Sequence, residues 1–109
     1  MTDTGATSIV ICGALGRMGG TVARLAAESG RFTIAGGVDI RPGEVAGAAV
    51  VESARMADLL SRTHPDVVID FTMPEACVSN VKNAAAAGAA VVVGTTGLTD
   101  VHMAEIRSA

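Results

Sequence analysis

Residues 13–19 read Gly-Ala-Leu-Gly-Arg-Met-Gly, and an acid, Asp39, follows twenty positions after the last of these glycines. Glycines at such spacing let a chain turn sharply and bring its backbone against a ligand without a Cβ in the way. Where the turn opens a helix, the free N–H groups of the first helical turn and the helix dipole attract an anion. The chemistry on offer is a phosphate cradle. The spacing is GxxGxxG, one residue longer than GxGxxG, and a plain strand-to-helix turn would use the same residues. Asp39 adds a second element, because an acid at the end of the next strand can accept hydrogen bonds from both hydroxyls of an adenosine ribose, although a solvated strand-end acid or turn former would read the same. Arg41, two residues on, is either solvated or a partner for a 2′-phosphate.

Two further clusters follow apolar runs. Asp70-Phe71-Thr72-Met73-Pro74-Glu75 is one, and Gly94-Thr95-Thr96-Gly97 is the other. Phe71 reads equally as the edge of a nicotinamide pocket or as core. Asp70 reads as a ligand group or as a tether for the adjacent turn. Thr95 and Thr96 read as ligand contacts or as turn and capping residues. His64, before Pro65, and His102, on a last helix, are both expected at the surface. No Ser/His/Asp set, HExxH or phosphate-loop lysine motif occurs, so no catalytic residue is assigned. Cys12 and Cys77 form no metal-ligand pattern, no metal site is expected, and Cys12 reads as a small buried hydrophobe.

The elements that would hold these groups alternate. Apolar, β-branched runs at 8–12, 32–38, 67–70 and 90–93 read as strands. A helix from Arg17 to Ser29 carries Met18, Val22, Leu25 and Ala26 at helical spacing and closes at Gly30. Residues 40–51 read as an irregular stretch. Ser53 is expected to cap a helix through Met56, Leu59 and Leu60 that stops before Pro65. Pro74 opens a helix through Val78, Val81 and Ala85 that ends at Gly88. Thr99 or Asp100 caps the last helix. The order βαβαβαβα with continuous apolar strands predicts an α/β fold, a Rossmann-type doubly wound parallel sheet with helices on both faces. Residues 1–7 are expected to form a flexible terminus, and 8–109 a dinucleotide-binding domain.

Half of the 109 residues are hydrophobic but only two are aromatic, so the core must be aliphatic. The formal charge of -3, without a basic cluster, argues against nucleic acid or anionic membranes as partners. No signal peptide or membrane-length apolar run is visible, and the expected compartment is the cytoplasm.

Four segments together resemble the 4-hydroxy-tetrahydrodipicolinate (dihydrodipicolinate) reductases of lysine and diaminopimelate biosynthesis. They are Ile11 to Gly19, Asp39, Val68 to Glu75 with its DFTMPE core, and Val93 to Leu98 with VGTTG. The resemblance runs from about Ser8 to the last residue. It implies that Gly13, Ala14, Leu15, Gly16, Arg17 and Met18 hold the pyrophosphate and adjacent ribose of NADH or NADPH. It implies that Asp39 binds the adenosine ribose, and that Gly94, Thr95 and Thr96 lie by the nicotinamide ribose and ring. Phe71 is counted as a further candidate cofactor contact from its place at the strand end. Ile40 stands where many relatives carry an arginine, which removes one partner for a 2′-phosphate.

The resemblance further implies an oxidoreductase that reduces a cyclic imine-type intermediate to tetrahydrodipicolinate, as a homo-oligomer. The family's histidine-rich segment, catalytic lysine and substrate-binding Ser-Gly-Thr stretch have no counterpart in these 109 residues. The small dicarboxylate substrate is therefore expected only with a further domain, and this chain alone is expected to be inactive. Two other readings of the residues are a stand-alone nucleotide-binding or sensor module and a CoA-binding domain.

Overall fold

The computed structural model describes residues 6–109. Residues 1–5, most of the expected flexible terminus, lie outside the described residues. Thr7, counted with that terminus, is instead the first residue of a strand, its N–H donating to the Arg31 carbonyl at 3.0 Å.

In chain order the elements are β1 (Thr7–Cys12), α1 (Arg17–Ser29), β2 (Phe32–Asp39), β3 (Gly43–Val45), β4 (Ala48–Glu52), α2 (Met56–Thr63), β5 (Val67–Asp70), α3 (Pro74–Ala86), β6 (Ala90–Val93) and α4 (Asp100–Arg107). The sheet order is β3-β4-β2-β1-β5-β6, and every pairing is parallel except β3 with β4. This is the doubly wound, Rossmann-type architecture. The helix ends fall where local chemistry puts them. Gly30 takes the left-handed conformation after α1, Pro74 sits in the first turn of α3, and the Thr99 side chain accepts the His102 N–H to cap α4.

Three expectations change. The stretch at 40–51 is not irregular, because it contains β3 and β4. Ala46 and Gly47 between them both have positive φ, 49° and 82°, the geometry of a two-residue hairpin turn. Ser53 does not cap α2. A single 3-10 turn, Ser53–Arg55, precedes that helix, and the Ser53 hydroxyl donates instead to the Asp39 carbonyl at 3.1 Å.

The buried stripe of α1 is the third change. It comprises Gly19, Ala23 and Ala26, while Met18 and Leu25 are 58% and 61% exposed. Small side chains let α1 approach the sheet closely, and its larger apolar residues then lie outside the contact. Ile9 and Ile11 of β1 pack on this side with Ala23, Ala26 and Val50. Val10 and Cys12 face the other side, against Met56, Leu59 and Leu60 of α2 and Ala84 of α3.

α4 leans on α3 through Lys82–Glu105 and His102–Glu75, each at 3.4 Å. Among the described residues no helix is long and apolar enough to cross a membrane.

Candidate dinucleotide-binding site

β1 lies between β2 and β5, so the chain leaves it in one direction and later returns on its other side. In open α/β sheets, ligands bind beyond the carboxyl ends of the strands at such a divergence. A cleft of about 280 Å³ lies there. Gly13 and Gly16 form one wall, Asp39 and Ile40 another, and Phe71, Thr72, Met73 and Ala76 the third, with Ser53 and Asn80 completing it.

The glycine turn is built around one backbone requirement. Gly13 has φ +81°, and a Cβ there would run into the Phe71 carbonyl. Its N–H donates to the Val38 carbonyl at 2.8 Å, and the Gly16 N–H returns to the Gly13 carbonyl at 3.0 Å. Gly16 is the N-cap of α1 but has no side chain to satisfy the helix, and the first turn carries no acidic residue. The N–H groups of Arg17, Met18 and Gly19 are therefore left for an external acceptor. Gly19, the third glycine of the motif, supplies the last of these N–H groups.

Of the six candidates in this turn, Gly13 and Gly16 line the cleft. The Ala14 side chain is buried in the core, and the side chains of Arg17 and Met18 point to solvent. Leu15 takes part through its backbone, because its N–H donates to Asp39 Oδ2 at 2.8 Å.

Asp39 ends β2 half-buried. Its Oδ1 accepts the Ile40 N–H at 2.7 Å, so its carboxyl is held at both oxygens by backbone donors. Ile40 is 82% exposed at the lip of the cleft. Glu52 of β4 is Asp39's register partner, which places a second acid beside the first. Arg41 is exposed and makes no ion pair among the described residues.

On the other side of β1, Asp70 is fully buried. Its oxygens accept the Thr72 hydroxyl at 3.0 Å, the Asn80 amide at 2.7 Å and the Thr95 hydroxyl. The Thr95 oxygen in turn accepts the Thr72 N–H at 2.9 Å. Burial and then the bond to Asp70 push the Cys77 thiol up to about 11. Burial, followed by the neighbouring Asp70, raises the Cys12 thiol as well. Both cysteines are free and buried.

Gly94, Thr95 and Thr96 do not line the cleft. They adjoin it through Phe71, whose ring fills the space a Cβ on Gly94 would take. The Thr95 hydroxyl is turned inward, whereas Thr96 is exposed. Asn80 escaped the sequence reading, whereas Thr72 stood within the strand-end cluster but was given no role of its own. The available signal for Asn80 was a polar amide on the buried face of α3, beside Cys77 and Ala84.

His64 is exposed, as expected. His102 is not, since its side chain is only 16% exposed. Its Nδ1 accepts the Thr99 N–H at 2.9 Å while Nε2 faces Glu75. The ring completes a capping box, a role that a glutamate or glutamine usually takes. Among the described residues no cluster of histidine, cysteine and acidic groups is placed to hold a metal ion.

Residues 7–109 match the family model described as dihydrodipicolinate reductase, N-terminus. The chain belongs to this family. A relative within it, the 4-hydroxy-tetrahydrodipicolinate reductase of Methanoregula boonei, is 50% identical over 91 residues, 84% of this chain. The match covers 36% of that relative, so the chain spans well under half the length of the curated relatives it resembles. Among solved structures, the dipicolinate-bound dihydrodipicolinate reductase of Paenisporosarcina sp. TG-14 superposes with a TM-score of 0.71 at 20% identity. That likeness covers 93% of this chain and 42% of that one. A Rex-family repressor in complex with β-NADH superposes with a TM-score of 0.73 at 20% identity, covering 86% and 48%. These likenesses show that this chain shares its fold with those proteins.

Proposed function

We propose that this chain binds a nicotinamide dinucleotide and is the cofactor-holding part of a 4-hydroxy-tetrahydrodipicolinate reductase. Family membership supports the reductase, and the fold shared with a β-NADH-bound protein supports the cofactor. One observation carries the reading. The acid suited to a ribose diol is hydrogen-bonded to the glycine turn suited to a pyrophosphate, at the divergence of the sheet.

In this reading the turn from Gly13 to Met18, with the Gly19 N–H, takes the pyrophosphate. Asp39 takes the adenosine ribose through the lone pairs that Leu15 and Ile40 leave free. Phe71 shields the cleft from water, and the Gly94–Thr96 segment lies along the nicotinamide ribose and ring. The bound cofactor supplies the hydride. Among the described residues that line the cleft, Asp39 is the only titratable one. The proton donor and the groups that hold the dicarboxylate substrate are accordingly assigned to the part of the parent enzyme beyond the matched span. This chain alone is expected not to turn over. A cytoplasmic, homo-oligomeric parent is part of the same reading.

NADH is expected to bind at least as well as NADPH. Asp39 and Glu52 together oppose a 2′-phosphate, and Ile40 gives it no cation. Calorimetric titration of the chain with NADH tests the assignment. Saturable binding is expected, and no binding at millimolar NADH would overturn it.

A further inference from the structure

The segment from Thr95 to Leu98 has almost nothing to hold it. Among the described residues its backbone makes no hydrogen bond, since Gly94 still bonds to the Asp70 carbonyl and regular bonding resumes only at Thr99. Among the described residues its one hydrogen-bonded anchor is the Thr95 hydroxyl. Thr95 donates to Asp70 and accepts the Thr72 N–H, so two strand-end loops meet at one carboxyl group. Asn80 of α3 fixes the same carboxyl from below at 2.7 Å.

We infer that Asp70 is a positioning residue: through Thr95 and Thr72 it sets the two loops that must receive the nicotinamide half of the cofactor. The inference rests on the cofactor reading above. A carboxyl this buried, which makes no ion pair among the described residues, is costly unless donors surround it. An apolar residue in its place would leave the buried Asn80 amide without its acceptor, and Thr95 and Thr72 with only long bonds to backbone carbonyls at 3.5 and 3.4 Å. Asp70 contacts no part of the glycine turn's anion-facing N–H set and does not line the cleft. Its influence should therefore fall on one half of the ligand.

That asymmetry is the test. NADH and ADP are titrated into the wild-type chain and into Asp70→Asn, Thr95→Val and Thr95→Ser, with circular dichroism to verify folding. ADP reaches only the glycine turn and Asp39. Asp70→Asn and Thr95→Val should weaken NADH about tenfold or more, the loss of a charge-assisted hydrogen bond, and leave ADP within about twofold. Thr95→Ser, which keeps the hydroxyl, should restore NADH binding. Should Asp70→Asn fail to fold, the Val and Ser pair at position 95 decides. Parallel loss of both ligands, or unchanged NADH affinity in Thr95→Val, overturns the inference alone. A wild type that binds neither ligand overturns the cofactor reading and this inference with it.

Discussion

Asp39 Oδ2 accepts the Leu15 N–H at 2.8 Å, fastening the end of β2 to the middle of the turn that follows β1. The two groups are 24 residues apart in sequence. The bond orients the carboxyl and at the same time holds the turn open at Gly16. Because Oδ1 is engaged by Ile40, each oxygen keeps a lone pair for an outside donor. The candidate ribose and phosphate positions are therefore one rigid unit.

Gly16→Asp should abolish NADH binding and leave the fold intact. Gly16 has φ -79° and ψ 171°, a backbone any residue adopts; a Cβ there would lie 3.3 Å from the Gly13 carbonyl, which a small shift of the turn relieves, and aspartate is among the best N-cap residues. A new cap should if anything raise the melting temperature. The same carboxylate would occupy and repel the phosphate position. Saturable NADH binding by a folded Gly16→Asp variant would place the phosphates elsewhere.

The paired change Asp39→Ser and Ile40→Arg should move preference toward NADPH by about tenfold or more, since a charge-assisted contact is worth roughly 1.5–3 kcal/mol. Ile40 is so exposed that an arginine there should cost the fold little. Dissociation constants for both cofactors check this. A wild type that already prefers NADPH strongly would mean that Arg41 or Arg17 outweighs Asp39.

Stability should fall at alkaline pH through the cysteines. Burial and the Asp70 bond raise the folded Cys77 thiol to about 11 from an ordinary value of 9.0. Its contribution is intact below the unfolded value and is lost as pH climbs toward the folded one, because unfolded thiols ionise first. The chain has no tyrosine to titrate in the same window. Urea midpoints measured at about pH 8 and about pH 10.5 should drop in the wild type and drop less in Cys77→Ala. Identical slopes in the two proteins would refute the assignment.

His102→Ala should loosen α4 alone. It removes half of a capping box, worth about 0.5–2 kcal/mol, from a helix with no buried residue. His102→Gln can still accept the Thr99 N–H and donate to Glu75. Amide exchange over residues 100–107 should quicken in the alanine variant and stay near wild type in the glutamine variant, with β1 unaffected. Unchanged exchange in His102→Ala would show that packing on α3 holds the helix.

Local chemistry was legible in the residues themselves. Gly30, Pro74 and Thr99 mark helix ends because each acts on its own backbone or within one turn. Continuous β-branched runs marked four of the six strands, and polar groups clustered at their carboxyl ends marked the face that carries the candidate site. What depended on partners distant in sequence was not legible. The hairpin of β3 and β4 needs an alanine at positive φ, in a turn whose second strand, β4, is held by pairing with β2. The buried face of α1 is decided by how closely the helix can approach the sheet, which selects Gly19, Ala23 and Ala26 over Met18 and Leu25. Thr95 read as a ligand contact or as a turn residue, yet its hydroxyl turns inward because the buried carboxyl at the end of the neighbouring strand requires donors. Sequence determines which groups are available and which way the chain turns locally. Tertiary structure decides which of those groups are consumed in satisfying one another, because a buried polar atom must find its partner wherever the fold places it.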